Sequence, residues 1–259
     1  MNLKELSIAT FNLYNLNEPG RALYTDSQGW SQEQYDLKIR WTAWQIRLLK
    51  SDVFGFQELW HAKALANALA EFDMAGDYDM LVPPNADGKR IVCAAIVRKG
   101  LLASEPNWIA DFPAKFTLRA TGDDPQTPSI DVNIRGFSRP LLHFTIKPRS
   151  AEPEVHVYVC HFKSKAPTKV FTERWFKADK ETFGKHASGL GAALSTIRRT
   201  AEAAALRFIL TEQMKDNDTP VIVLGDINDG QLSNTANILT DQPRYLLGES
   251  KGGGDVALY

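Results

Sequence analysis

The 259-residue sequence has little of several features that would assign a chain to a class at once. It contains two cysteines, Cys93 and Cys160, each within an apolar run, which excludes a disulfide framework but leaves a single bridge open. Neither cysteine has the Cys/His spacing of a zinc site. No apolar stretch approaches the roughly 20 residues that a membrane-spanning helix needs. The N-terminus lacks the apolar region of a signal peptide, so the default expectation is a cytoplasmic protein.

The sequence also lacks a surplus of charge of either sign, since its net charge is −1. Bulk electrostatics therefore do not predict binding to a polyanion. The distribution is uneven, because residues 161–207 contain ten Lys or Arg and four acidic residues, a net charge of +6. Such a segment favours a phosphate-bearing substrate, although a solvated helical face would have the same composition.

No Gly-x-Gly-x-x-Gly loop, internal repeat or domain linker is present, so we expect a single domain over residues 1–259. Residues 129–135 and 141–147 are too close for a helical crossover and predict paired strands joined by a loop. This spacing argues against a doubly wound parallel sheet. The predicted fold class is α/β, with two mixed β-sheets packed face to face and helices outside. Helices are predicted at 34–49, 61–72 and 195–213, and the apolar positions 37, 41, 44 and 48 of the first are expected to face the sheet.

The most informative stretch that is present runs from Val221 to Asn228, Val-Ile-Val-Leu-Gly-Asp-Ile-Asn. Four apolar residues predict a buried strand, and Gly225 allows the backbone to turn at its end. Asp226 and Asn228 follow at alternate positions, which places a carboxylate and an amide on one face of an extended segment. Such a pair can hold a water molecule on an electrophile and donate a hydrogen bond to the charge that develops.

Three other apolar runs also end in polar residues suited to catalysis. Residues 8–11 lead to Asn12, residues 53–56 lead to Gln57 and Glu58, and residues 155–160 lead to His161. Each taken alone is equally consistent with a turn, a helix cap or a buried histidine. Four such strand ends in one chain favour a site at which the strands converge.

These motifs resemble, in their order and separation, those of the endonuclease/exonuclease/phosphatase superfamily. The resemblance extends over residues 5–230, and Arg139-Pro-Leu-Leu is similar to a segment of many bacterial members. It implies a four-layer α/β sandwich with the active site at one end of the sheets. It also implies a metal-dependent phosphoric ester hydrolase, with nuclease-like cleavage of phosphodiesters ahead of other phosphoesterase activities.

The resemblance further implies a role for each residue. Glu58 would bind Mg²⁺ or Mn²⁺, with Asn12 beside it as a ligand or near the phosphate. Asp226 would orient or deprotonate the attacking water. The contacts to the substrate phosphate would come from Asn12, Arg139, His161 and Asn228. A magnesium site with few carboxylates suits this chemistry, because Mg²⁺ keeps several waters and shares its coordination with phosphate.

One departure from the superfamily pattern concerns the Asp-His pair that closes its members. The last histidine is His186, so we expect the domain to lack its C-terminal part, to be nearly silent in catalysis and to have a displaced tail from Gly252 to Tyr259. The expected partner is a phosphate ester, with nucleic acid among the candidates, and no obligate protein partner is inferred. The alternatives are a non-catalytic module that binds a phosphorylated ligand and an inositol-phosphate or sphingomyelin phosphoesterase.

Overall fold

The computed structural model of the chain describes residues 2–24, 27–123, 125–240 and 257–258. Most of the expected displaced tail lies outside these residues. The described residues form two compact units. The first unit comprises residues 1–110, 139–161 and 217–226, and the second comprises residues 111–138, 162–216 and 227–259. The single domain expected from the sequence stays a prediction.

The first unit contains two four-stranded sheets, both mixed. In the first sheet the strand order is β1-β2-β4-β3, where β1–β2 is parallel and the other pairs are antiparallel. Its strands are β1 (Ile8–Leu16), β2 (Val53–His61), β3 (Tyr78–Leu81) and β4 (Asp87–Arg98). The polar residues Asn12, Gln57 and Glu58 lie within β1 and β2, so these strands continue past the predicted strand ends.

The second sheet has the order β10-β9-β8-β5. Its strands are β5 (Asn107–Asp111), β8 (Gly136–Ile146), β9 (Val155–His161) and β10 (Val221–Asp226). Strands β9 and β10 are parallel, whereas β8 and β9 are antiparallel. The predicted fold class, α/β with two mixed sheets, is therefore confirmed. The register places Asp226 directly beside His161.

The two sheets pack through a core that is closed to solvent. Val53, Ala95 and Val97 of the first sheet share a buried cluster with Phe144 and Val159 of the second. The free thiols Cys93 and Cys160 are both buried, which confirms their interpretation as core residues. Burying such side chains supplies roughly 25 cal/mol for each Å² of apolar surface, so this interface fixes where the strand ends lie.

Two helices pack on the outer face of the first sheet, α1 (Gln32–Leu49) and α2 (Ala62–Ala70). A capping box at Ser31 and Gln34 starts α1, and the left-handed Lys50 ends it. The helix is confirmed, but the face assigned to the core was wrong. The predicted stripe is exposed, and it consists of Leu37, Trp41, Trp44 and Leu48. The sheet is instead covered by a second stripe, which includes Tyr35, Ile39, Ala43 and Ile46.

The predicted hairpin of residues 129–135 and 141–147 was also wrong. Strand β8 begins at Gly136 and pairs with β9, so Arg139 lies in a strand rather than in a loop. Two short strands of the second unit, β6 (Arg119–Ala120) and β7 (Ile130–Asp131), pair with each other instead.

The second unit also contains helices. They are α3 (Arg174–Ala178), α4 (Lys180–Phe183), α5 (Ala187–Met214) and α6 (Asn234–Thr240). The helix predicted at 195–213 is therefore confirmed and starts eight residues earlier, at Ala187. In the part of the chain that the structure describes, no helix combines the length and the apolar character that crossing a bilayer requires.

Candidate active site

Two glycines allow the strand ends of the first unit to come together. At Gly55 an added Cβ would lie 3.1 Å from side-chain atoms of Leu224 and Val159, so glycine permits close approach of the two sheets just before Glu58. Gly225 has φ +141°, and a Cβ there would collide with the Cys160 carbonyl oxygen. This conformation, which side chains rarely adopt, sets the direction of Asp226 at the end of β10.

The first sheet is irregular near the site, where β1 pairs with β2. Asn12 pairs with Gln57 and Leu16 pairs with Leu59, so three residues of β1 lie opposite Glu58 alone. Tyr14, Asn15 and Glu58 all have left-handed backbones, with φ of 47°, 59° and 59°. A left-handed residue other than glycine costs about 1–2 kcal/mol, and such strain concentrates at functional sites. The bulge turns the Glu58 carboxylate toward β1.

The amide of Asn12 holds two carboxylates together. Its Nδ2 donates to Glu58 Oε1 at 3.1 Å and to Asp226 Oδ2 at 3.1 Å. Its Oδ1 accepts from the Tyr14 backbone N–H at 2.9 Å. The orientation of the amide follows from these partners, because the reverse would set its oxygen against two carboxylates. In this arrangement Asn12 positions the two carboxylates and does not present its oxygen to a metal ion.

His161 is buried beside Asp226, with 3% of its surface exposed. Burial, followed by the positive charge of Arg139, lowers the pKa of its imidazole to about 4, against the opposing charge of Asp226. The ring is therefore neutral at pH 7, with one donor and one acceptor nitrogen. Within the described part of the chain its Nδ1 has no hydrogen-bond partner, which is unusual for a buried polar atom. Such a ring can donate to a ligand oxygen without carrying a charge.

Arg139 lies close enough to this group to act on it electrostatically. Besides His161, its charge acts on the Tyr24 phenol, whose pKa is raised by burial and by Glu58 and lowered by Arg139. The structure therefore brings five of the six predicted residues into the first unit. Asn12, Glu58 and Asp226 are joined by hydrogen bonds, whereas His161 and Arg139 are linked to them by register and charge.

Asn228, the sixth predicted residue, belongs to the second unit. It has a left-handed backbone with φ 53°, and its Nδ2 donates to the carbonyl of Phe162 at 3.0 Å. That bond ties the loop after β10 to the residue that follows His161. The neighbouring Asp229 accepts from Lys165 and Thr235 at 2.9 and 2.7 Å, so it stabilises the turn.

Asn15 is a site residue that the sequence reasoning missed. Its backbone N–H donates to Glu58 Oε2 at 3.0 Å. Its own side chain accepts from Tyr24 and from Trp60, each at 3.0 Å, and its carbonyl accepts from Trp30 at 2.7 Å. Three aromatic side chains thus fix the residue that holds the second oxygen of Glu58. The recurrence of asparagine at 12 and 15 was the only available signal.

Lys38 is a second residue that was missed, because α1 was expected to turn other residues inward. Its Nζ lies 5.3 Å from the ring centre of Tyr14 and 5.0 Å from that of Trp30. Burial lowers the pKa of the amine, whereas the charge of Glu58 raises it. This half-buried cation stabilises both rings through cation–π contacts next to the carboxylates.

The donors at this site suit a hard divalent cation. Glu58 and Asp226 supply carboxylate oxygens that a single amide holds in reach of each other. No group of three or more His, Cys, Asp or Glu in metal-binding geometry occurs among the described residues. Mg²⁺ is commonly held by one or two carboxylates, with water and phosphate completing the octahedron. The residues therefore fit magnesium better than a metal that requires a closed set of protein ligands.

Comparison with known proteins addresses the fold. No protein-family model and no curated protein matches the sequence. Among solved structures, the β-hairpin deletion mutant of Staphylococcus aureus beta toxin matches 92% of this chain and 72% of its own, with TM-score 0.52 and 15% identity. Caenorhabditis elegans TDP2 matches 87% and 48%, with TM-score 0.50 and 13% identity.

A third structure carries the superfamily name in its description. An endonuclease/exonuclease/phosphatase family protein from Bacteroides thetaiotaomicron matches 91% of this chain and 68% of its own, with TM-score 0.46 and 14% identity. At such identities a match concerns the fold alone. The chain shares its fold with the beta toxin and TDP2 structures.

Proposed function

We propose that this chain hydrolyses phosphate esters, phosphodiesters ahead of monoesters, with Mg²⁺ as its cofactor. The observation that carries the proposal is the shared amide of Asn12, which holds the carboxylates of Glu58 and Asp226 together at 3.1 Å each. Two neighbouring negative charges are costly unless a cation or a proton is bound between them. An arrangement maintained in spite of that cost, on a strained backbone, indicates a site built for a cation.

Each residue has a distinct role in this proposal. Glu58 binds the metal, which when present neutralises charge on the phosphate oxygens. Asp226 orients the attacking water and accepts its proton. His161, as a neutral ring, donates to a phosphoryl oxygen, and Arg139 also contacts the phosphoryl group. Asn12 and Asn15 are positioning residues, because their hydrogen bonds hold the carboxylates of Glu58 and Asp226.

The proposal is tested first by metal binding, which does not depend on turnover. Mn²⁺ is titrated by calorimetry into the wild type, Glu58→Gln, Asp226→Asn and Asp87→Asn. Asp87 is a matched control, since it is an exposed carboxylate paired with Lys89. We expect one site in the wild type and in the control, its loss in Glu58→Gln and weaker binding in Asp226→Asn. Equal binding by Glu58→Gln and Asp87→Asn would refute the assignment.

Hydrolysis is then measured with the same four proteins on duplex DNA, abasic DNA, RNA and inositol phosphates, with Mg²⁺ and with a chelator. Asp226→Asn should lower turnover by roughly 10²–10⁴-fold, the usual contribution of a general base. Metal binding at Glu58 without hydrolysis of any ester would contradict an enzyme and favour the phospholigand-binding alternative. Chelator-resistant turnover would contradict the dependence on magnesium.

A further inference from the structure

A cavity of about 380 Å³ adjoins the carboxylate cluster in the first unit. The described residues that line it are uncharged. Its walls include three aromatic and three amide side chains, those of Tyr14, Tyr24, Trp30, Asn15, Gln28 and Gln34. A cavity lined by rings and amides suits a neutral, flat group that can both stack and form hydrogen bonds.

The cavity and the carboxylates share structural parts. Asn15 lines the cavity, and its backbone N–H donates to Glu58 at 3.0 Å. Tyr14 lines the cavity as well, and its backbone N–H donates to Asn12, the residue that joins both carboxylates. A ligand that places a phosphate at Glu58 and Asp226 would therefore have its adjacent group within reach of these walls.

Tyr14 has features that stability does not account for. Its side chain is 68% exposed, and its backbone is left-handed with φ 47°. An exposed tyrosine contributes little of the free energy that its burial would supply, and the left-handed backbone adds strain. The ring is nevertheless held, since its centre lies 6.3 Å from that of Trp30 and 5.3 Å from Lys38 Nζ. A strained, exposed and fixed aromatic ring is the usual form of a stacking platform.

We propose that this cavity binds a nucleobase, stacked on Tyr14, while the phosphate of the same molecule occupies the carboxylate site. This inference rests on the proposed function and deepens it by naming a substrate class, esters of nucleotides. An inositol polyphosphate would bring further phosphates against walls whose described residues supply no positive charge. Lys38 contacts both rings and is close enough to Glu58 to feel its charge. In the proposed complex this cation would lie near the bond that joins the neutral base portion to the anionic phosphate.

The proposal is tested by comparing two ligands that differ only in the base. Adenosine 5′-monophosphate and ribose 5-phosphate are titrated by calorimetry in the presence of Mg²⁺. A stacked base contributes about 1–3 kcal/mol, so the nucleotide should bind about 5- to 150-fold more tightly. Tyr14→Ala and Tyr14→Leu should abolish this ratio, whereas Tyr14→Phe should preserve it. The control is Trp44→Ala, which removes a half-exposed aromatic ring that is not among the residues lining the cavity.

Equal affinities for the two ligands in the wild type, or an unchanged ratio in Tyr14→Ala with a native circular dichroism spectrum, would overturn the nucleobase site. The inference and the proposed function fail separately. If Asp226→Asn keeps full hydrolysis while Tyr14→Ala loses the preference, the catalytic proposal is wrong and the base site stands. If Asp226→Asn abolishes hydrolysis while the wild type binds the two ligands equally, the base site is wrong and the catalytic proposal stands.

Discussion

Asp226 and Asp229 are three positions apart, yet their carboxylates are stabilised in opposite ways. Asp226 accepts a hydrogen bond from a neutral amide, that of Asn12, and the same amide donates to the carboxylate of Glu58. Asp229 accepts from two cations, Lys165 at 2.9 Å and Arg199 at 3.3 Å, and from Thr235. The guanidinium of Arg199 is itself buried, with 5% of its side chain exposed.

This difference separates a carboxylate that maintains structure from one kept for chemistry. Burial alone would raise the pKa of the Asp229 carboxyl, but hydrogen bonds from Lys165, Thr235, Gly230 and Arg199 hold it far below its usual range. Charge compensated from within the chain contributes to stability and needs no ligand. Two carboxylates that share one neutral amide repel each other, and such an arrangement is typical of a functional site.

The largest expected effect comes from removing the buried cation at Asp229. Arg199→Met deletes the guanidinium that also donates to the carbonyls of Lys163 and Ser164. Breaking a buried ion pair from one side costs about 3–5 kcal/mol, so the free energy of unfolding in urea should fall by that amount. Lys165→Met is the control, because that side chain is 64% exposed and should cost no more than about 1 kcal/mol. Equal effects of the two substitutions would show that the buried Arg199 stabilises the fold no more than the exposed Lys165 does.

The comparison also shows what the sequence could predict. Asn12, Glu58 and Asp226 were found because each follows an apolar run, although Asn12 and Glu58 lie in the first sheet and Asp226 lies in the second. Asp229 lies three residues beyond the end of β10, outside the Gly-Asp-Ile-Asn motif. Its partners Arg199 and Thr235 are distant in sequence or lie in another element, so only tertiary structure assigns its role.

Helix α1 illustrates a different limit. Its sequence contains two apolar stripes at helical spacing, and periodicity alone does not decide which one faces the sheet. The buried stripe uses smaller residues such as Ala43, because Phe54 and Phe56 of the sheet already fill the interface. The tryptophans at 41 and 44 remain half exposed. The bulge at Tyr14 and Asn15 was missed for a related reason, since left-handed residues break the alternation on which strand prediction depends.

Acid should destabilise the regions around His161 and Asp229 in separate pH ranges. The folded pKa of His161 is about 4 and its ordinary value is 6.5, so the unfolded chain binds more protons between these values. Stability is therefore lost as the pH falls from about 6.5 to about 4, by at most roughly 3 kcal/mol for this group. The depressed pKa of Asp229 acts in the same direction but below its ordinary value of 3.8.

Urea unfolding at pH 7, 5.5, 4.5 and 3.5 measures both ranges. His143 is half-buried with a pKa lowered to about 4, and burial also lowers the pKa of His156, so the wild type should show the sum of the three histidines. His161→Gln should reduce the loss between pH 6.5 and 4 and leave the loss below pH 4. His186→Gln, an exposed histidine, is the control and should follow the wild type. A loss above pH 4 that is the same in all three proteins would show that His161 is not buried in its neutral form.

Neutralising Asp226 should change the free energy of unfolding less than the other changes do. Asp226→Asn relieves the repulsion between two carboxylates but also alters one hydrogen bond from Asn12. Because a typical hydrogen bond contributes about 1 kcal/mol and the repulsion is of similar size, unfolding without metal should change by no more than about 1 kcal/mol. Adding Mn²⁺ should raise the melting temperature of the wild type more than that of the variant, since a ligand stabilises only the state that binds it. Glu58→Gln should be insensitive to Mn²⁺, because it lacks the proposed ligand. A loss of several kcal/mol in metal-free Asp226→Asn would instead place Asp226 with Asp229, as a carboxylate that the fold requires for its own stability.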